Sequence, residues 1–337
     1  MAVKYFTYSK PFELEEGGQL PGVTIAYHTF GQFRGDNVLW IFHALTANSD
    51  VADWWPHTVE EGKFLDPEKY FIVCANILGS HYGTTGPLSV DPHTGAPYYG
   101  AFPFITIRDM VKAHLLLADH LGIERVRVAM GSSIGGFQAM EMALARPEMV
   151  GRLILIATSA RTQPWAIAIN ESQRMAIEAD STFGQPSEDA GKRGMSVARS
   201  IGLISYRGSS AYNATQQEIE DPDKTSGFRA ASYQRYQGEK LCRRFDAYSY
   251  YTLTRALDSH NVGRGRGGVE KALARIVCPT LVVGISTDII FPVEEQTFLY
   301  EHIPGAKIEV ICSEFGHDGF LVEHEKLNAM LKPFIDE

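Results

Sequence analysis

The chain has 337 residues, 45% of them apolar and 21% charged, enough for one large core or two modest ones and therefore for a domain carrying a substantial insertion. Its formal net charge of −9 argues against a broad electrostatic footprint for nucleic acid or an anionic membrane, so an anionic ligand would need a local basic pocket. The opening MAVKYFTYSK has no apolar signal core, and no stretch approaches the roughly 20 apolar residues of a bilayer span, so the expected setting is cytoplasmic.

In chain order, Val38 to Phe42, Tyr70 to Ala75, Val126 to Met130 and Arg152 to Ala157 read as buried strands of a parallel sheet, being short, apolar and rich in β-branched residues. Between them, Ile107 to Leu121 sets Met110, Val111, His114, Leu115 and Ala118 at helical spacing, with Gly122 as a stop. A second helix follows Gly135 and ends before Pro147. This βαβ rhythm predicts right-handed crossovers. From 161 to 268 strand-like runs vanish and polar, helix-compatible sequence replaces them, which predicts an inserted helical cap. The glycine-rich GRGRGG of Gly263 to Gly268 is its return to the core. The rhythm resumes with a strand at Thr280 to Ile285, a helix at Val293 to His302, a strand at Lys307 to Ile311 and a last helix from His324 to about Ile335. The expected fold is α/β, with a mostly parallel sheet, helices on both faces, a core of 1–160 and 269–337, and a cap of 161–268.

The four cysteines, Cys74, Cys242, Cys278 and Cys312, are widely spaced and form no CxxC pair, so buried free thiols are expected rather than a disulfide framework. The histidines show no HExxH or clustered spacing, and no metal site is expected.

Gly131, Ser132, Ser133, Ile134 and Gly135 spell G-x-S-x-G directly after a strand and before a helix. The pattern alone arises by chance in roughly one chain in ten of this size. Its strand-turn-helix setting is what the chemistry needs, because that turn presents a serine Oγ above the sheet while the helix N-terminus faces a developing oxyanion. The bland alternative is a serine that merely caps the helix. A serine needs a base and an orienting acid to act at neutral pH, and in this fold the chain order is nucleophile, acid, base. His317, in the loop after the last strand, is the candidate base, with His302 and His324 as competitors. Asp288, just beyond Ile285, is the candidate acid; a turn or helix-capping role competes. Backbone N–H groups of Leu45 and Ile134 are the candidate oxyanion donors, and His43 is weighed as a brace for the Leu45 loop.

Several stretches now coincide: HALTANSD from His43, NILGSHYGTTGP from Asn76, YYGAFPFITIRDMV from Tyr98, the elbow, QGEKLCRRFDAYSYYTLTRALD from Gln237 and GHDGFL from Gly316. Together they resemble the homoserine O-acetyltransferase family, the α/β-hydrolase-fold acyltransferases, over nearly the whole chain. The resemblance implies a ping-pong reaction in methionine biosynthesis, in which Ser133 takes an acetyl group from acetyl-CoA and L-homoserine removes it. It implies a Ser133, Asp288 and His317 triad, acceptor contacts from Arg199, Tyr206 and Asp318, CoA only as cosubstrate and no bound cofactor, and a homodimer. A zwitterionic acceptor needs a cation and an anion, and Arg199 and Asp318 supply them. Ser132 and Ile134 depart from the more familiar Gly and Met of the family elbow, and HALTANSD from a HALTG-type run. Residues Gly83 to Pro87 are either an entrance-shaping loop or an ordinary turn, and Arg264 and Arg266 either meet CoA phosphates or are solvated hinge arginines. A succinyl donor, a serine acceptor or an esterase-type hydrolysis are the competing activities.

Overall fold

In the computed structural model, which describes residues 2–337, the five apolar residues Val38–Phe42 (β5) are all buried because both faces of the strand are covered. Val38, Trp40 and Phe42 face one hydrophobic layer and Leu39 and Ile41 the other, as the two-residue period of a strand requires. Around β5 lie β1 (Lys4–Tyr8), β4 (Val23–Phe30), β6 (Phe71–Ala75), β7 (Val126–Ser132), β8 (Val150–Ile156), β9 (Thr280–Ile285) and β10 (Lys307–Ile311). The strand order is β1-β4-β6-β5-β7-β8-β9-β10, and β4 alone runs against the other seven. A separate two-stranded hairpin joins β2 (Phe12–Glu13) to β3 (Gln19–Leu20). Phe42 pairs with Gly131, Ser132 with Ile156 and Ile285 with Ile311, so the carboxyl ends of β5, β7, β8, β9 and β10 finish along one edge. Ligand-binding groups gather at such an edge in open α/β sheets.

One layer is closed by helices Ile107–His120 and Ile134–Ala145, the other by His324–Asp336, whose Leu327, Leu331, Phe334 and Ile335 face the sheet at helical spacing. The first of these helices starts where Thr106 and Asp109 satisfy each other's backbone N–H groups in a capping box. Strands β5, β9 and β10 coincide with the sequence reading, β7 and β8 reach two residues further at one end, and the fold class is the expected one. Strands β1 and β4 were not singled out. Strand β1 is the exposed edge of the sheet, and β4, although almost wholly buried, interrupts its apolar residues with Thr24, His28 and Thr29, so neither forms a continuous apolar run. Cys74 and Cys278 are buried as expected, but Cys312 is exposed because it lies one residue past β10 at the sheet edge.

Between β8 and β9 the chain contains helices Pro164–Glu178, Lys192–Tyr206, Ser209–Gln216, Arg229–Cys242, Ala247–Asp258 and Val269–Leu273, and no strand of the sheet. The return at Gly263 to Gly268 is held by charge. Arg264 donates to both oxygens of Glu15, Arg266 makes a fork on the buried Glu141 at 2.8 and 2.6 Å, and Arg108 bridges both carboxylates. Neither arginine is therefore a solvated hinge or a free phosphate contact; both are committed within the fold. Since Glu141 lies on the helix that follows Ser133, the network ties the return segment to the site's own support. Glu141→Ala would strand Arg266 and weaken the hold on Arg108. We expect it to lower unfolding stability by on the order of 3 kcal/mol in urea denaturation, whereas an exposed pair such as Arg146 with Asp119 should cost under about 1 kcal/mol when broken.

Candidate active site

At the end of β7 the chain turns into helix Ile134–Ala145 through Ser133, whose φ of 56° and ψ of −126° lie in a region that costs a non-glycine residue strain. The surroundings hold it there. Ser133 N–H donates to Ile156 O, and Ser133 O accepts from the Thr158 hydroxyl at 2.8 Å and from the N–H of Gly136. The flanking glycines are required by close approach: a Cβ on Gly131 would stand 2.1 Å from Gly135 O, and one on Gly135 2.1 Å from Phe42 O. The helix thus rests directly on backbone, which fixes the angle at which the serine hydroxyl leaves the sheet. No side-chain cap bond is made by Ser133, so a helix-capping role does not account for it.

Asp288 follows β9 and is buried. Its Oδ1 accepts from the N–H groups of Ile290 and Phe291 at 2.8 and 3.0 Å, the turn-forming pattern expected of an Asx residue. Its Oδ2 faces His317 Nδ1 at 2.6 Å. The turn role and the contact expected of an orienting acid, weighed as alternatives from sequence, are made by different oxygens of one carboxylate. His317 is the middle residue of the short 3₁₀ turn Gly316–Asp318 beyond β10, with the rings of Phe291 and Phe320 5.5 and 5.4 Å away. Burial pushes its basicity down, yet the Asp288 carboxylate, through charge and hydrogen bond, and Asp318 more than offset this and hold the imidazole pKa above 6.5. The competitors are engaged elsewhere: His302 bonds to Phe298 O within its own helix, and His324 stacks edge-on against His57.

Ser133 and His317 line one cavity of about 500 Å³, together with Leu45, Arg199, Tyr206 and Asp318. Among the described residues, no protein acceptor meets the backbone N–H of Leu45 or Ile134. His43 braces the Leu45 loop. It accepts from Ile77 N–H at Nε2 and so donates from Nδ1 to Ala44 O, and burial lowers its pKa to about 4, which keeps it neutral. The loop Gly83 to Pro87 is sutured to β4, with Ala26 N–H bonded to Thr84 and Thr24 N–H to Thr85, and does not line the cavity.

Arg199 lies over the Tyr206 ring at 5.5 Å, while Asp318 forms an ion pair with Arg207, Nε to Oδ2 2.8 Å. Sequence reasoning did not find Arg207, nor Lys240 and Arg244 at the exposed rim of the cavity. Arg244 donates to Thr46 O and the Tyr82 hydroxyl, and among the described residues neither it nor Lys240 pairs with a carboxylate. The absence of a helical or strand period at such positions leaves no sequence signal beyond the charge itself. No cluster of three His, Cys, Asp or Glu able to hold a metal occurs among the described residues, and none of their helices is long and apolar enough to cross a membrane.

Fold and site define an α/β-hydrolase-fold enzyme, and residues 37–324 match the family described as alpha/beta hydrolase fold. A homoserine O-acetyltransferase of Cyclobacterium marinum is 45% identical over 336 residues, covering 99% of this chain and 95% of that protein. This chain belongs to the homoserine O-acetyltransferase family. Two solved structures share the fold: a homoserine O-acetyltransferase from Bacillus anthracis, with TM-score 0.91 at 24% identity over 100% of this chain and 98% of that one, and an acetylester hydrolase from Corynebacterium glutamicum, with TM-score 0.87 at 24% identity over 99% and 96%.

The opposition at His317 gives a direct titration test. Its imidazole should titrate above 6.5 by NMR in the intact protein, and in Asp288→Asn, where burial then acts with little counterweight, the midpoint should drop; an unmoved midpoint would mean that Asp288 does not set it.

Proposed function

We propose that the protein transfers an acetyl group from acetyl-CoA to the hydroxyl of L-homoserine through an acetyl-Ser133 intermediate, serving methionine biosynthesis. The observation that carries this reading is that one cavity is lined by a strained elbow serine, a carboxylate-paired histidine, and a cation and an anion, Arg199 and Asp318, suited to an amino acid. An ester hydrolase has no need of the last two.

In the first half-reaction Ser133 Oγ attacks the thioester carbonyl carbon as His317 Nε2 takes its proton. Asp288 holds the ring through Nδ1 and stabilises the imidazolium. The tetrahedral oxyanion is held by the N–H groups of Leu45 and Ile134. The C–S bond breaks, His317 returns the proton to the CoA sulfur, and acetyl-Ser133 remains. The acceptor hydroxyl then attacks the acetyl carbon, giving its proton to His317, and the C–O bond to Ser133 breaks with reprotonation of Oγ. Arg199 faces the acceptor carboxylate, Asp318 its ammonium group, and Tyr206 packs between them. Helices of the 161–268 cap roof the core of 1–160 and 269–337 and limit water in the cleft. A cytoplasmic homodimer with CoA as cosubstrate and no resident cofactor completes the reading.

Acetyl-CoA alone should release CoA in a burst of about one equivalent per site, with acetyl found on Ser133 by peptide mass spectrometry, and L-homoserine should discharge it with fast turnover. A burst that homoserine does not accelerate would turn the reading toward hydrolysis; acetylation elsewhere, or full activity in Ser133→Ala, would remove Ser133 as nucleophile. Succinyl-CoA and L-serine in the same assay decide donor and acceptor.

The rim supplies a second test. Lys240 and Arg244, cations without carboxylate partners in a chain of net charge −9, are suited to the phosphates of the donor. Lys240→Glu should raise KM for acetyl-CoA at least fivefold, about 1 kcal/mol, and change KM for the phosphate-free donor S-acetylpantetheine less than twofold. An equal response to both donors would place the phosphates elsewhere.

A further inference from the structure

The loop that carries His317 and Asp318 is seated on the carboxyl end of helix Lys192–Tyr206, and the seat is backbone against backbone. A Cβ on Gly208 would stand 2.0 Å from Glu314 O and 2.9 Å from Gly316 N; one on Gly316, where φ is 66°, would stand 2.5 Å from Gly208 N and 2.7 Å from Arg207 C. Only glycine at both positions allows this approach. Beside the two glycines Arg207 and Asp318 form an ion pair, their side chains 31% and 13% exposed, and Asp318 lines the cavity. Arg207 terminates the helix in an extended conformation, φ −102° and ψ 138°, so its side chain leaves the helical path followed by Arg199 and Tyr206.

Asp318 is a strained place for a charge. Burial raises its carboxyl pKa above the usual carboxylate value. Arg207 is the largest opposing influence, followed by Arg199 and His317, while Asp288 adds to the rise. The negative end of a fifteen-residue helix also stands beside it, which a cation at Arg207 offsets. Only Oδ2 is taken by the ion pair.

We propose that Arg207 is a positioning residue for the acceptor half-reaction: it grips Asp318 by one carboxylate oxygen, in register with the Gly208–Gly316 contact, so that the other oxygen meets the ammonium group of the amino-acid acceptor. This rests on the acceptor site proposed above. It makes the ion pair the joint between the helical segment that carries Arg199 and Tyr206 and the loop that carries the base. Arg207 touches no reacting atom; it acts through Asp318, and therefore on the second half-reaction and not the first.

The experiment compares Arg207→Gln and Arg207→Lys with the unmodified protein in both half-reactions. With acetyl-CoA alone, the CoA burst should keep its amplitude and stay within about twofold of its rate. With L-homoserine, Arg207→Gln should lower kcat/KM at least tenfold, and the acid limb of its pH profile should move to higher pH. The sign follows from the group involved: Asp318 must be ionised to hold an ammonium, and loss of the cation raises its pKa further, so more of the acidic range is lost. Arg207→Lys keeps the charge and should recover most of both effects. An Arg207→Gln protein with unchanged homoserine kinetics and an unmoved acid limb overturns the proposal. So does a burst that falls in parallel with homoserine turnover, since that marks a merely structural residue. If the unmodified protein shows a burst but no homoserine-dependent turnover, the acceptor reading itself fails and takes this proposal with it, an outcome separable from an indifferent Arg207 in an active enzyme.

Discussion

Everything at this site hangs on the contact between the first turn of helix Ile134–Ala145 and the backbone at the end of β5. Because Gly135 meets Phe42 O with no room for a Cβ, the helix cannot back away from the sheet, and Ser133 must absorb the turn at positive φ. Strain of this kind costs of order 1–3 kcal/mol and persists only where neighbours over-determine it. Here they do so from three sides: Ile156 and Thr158 from β8 and its loop, Phe42 from β5, and a buried chain from within the core. In that chain Trp40 donates to His114 Nδ1, His114 donates from Nε2 to Gln138, and Gln138 donates to Ile134 O. Burial lowers the His114 pKa to about 3, so it stays neutral and can accept and donate at once.

The same constraint orders the charges around the cavity. With the serine fixed at the end of β7, other groups of the sheet reach its cavity from the carboxyl ends of neighbouring strands, which is where Asp288 and His317 follow β9 and β10. A buried carboxylate beside a buried imidazole is stable because each oxygen of Asp288 is used: one by two backbone N–H groups, one by the ring. A second buried carboxylate, Asp318, follows immediately in sequence, and two anions so close would repel. Arg207 and Arg199 reach it from the helical segment, so the charge balance beside His317 depends on elements about 110 residues earlier in the chain. Glu141 plays the corresponding part behind the elbow, holding Arg108 and Arg266. In both places a cation from outside the sheet neutralises a carboxylate of the core, and this is how the helical segment is tied to the core without strands of its own.

How much of this was legible follows from which interactions are local. Strands β5, β9 and β10 and the helices Val293–His302 and His324–Asp336 announce themselves because burial on known faces imposes a two-residue or 3.6-residue period on the sequence. Ser133, Asp288 and His317 were picked out by the same logic, each expected just past a strand, and the structure lines one cavity with Ser133 and His317 and bonds Asp288 to His317. Strands β1 and β4 lack that signal for different reasons: β1, an edge strand half open to water, tolerates Lys4 and Thr7, while the mostly buried β4 carries Thr24, His28 and Thr29 among its apolar residues. Arg264 and Arg266 were misread because nothing in GRGRGG shows that Glu15 and Glu141, over a hundred residues away, wait for them.

By itself, then, the sequence determined the alternation of sheet and helix, the strand-turn-helix at Ser133, the placement of Asp288 and His317 just past their strands, and the strand-free stretch between β8 and β9. These are consequences of periodicity and of turn chemistry, which act over a few residues. Only the tertiary structure decided the partners of the charges: that Arg207 and not Arg199 grips Asp318, that Arg264 and Arg266 serve the core, and that Lys240 and Arg244 are left at the rim. An ion pair needs only that two ends meet in space, and long flexible side chains such as arginine carry no periodic mark of where they will reach.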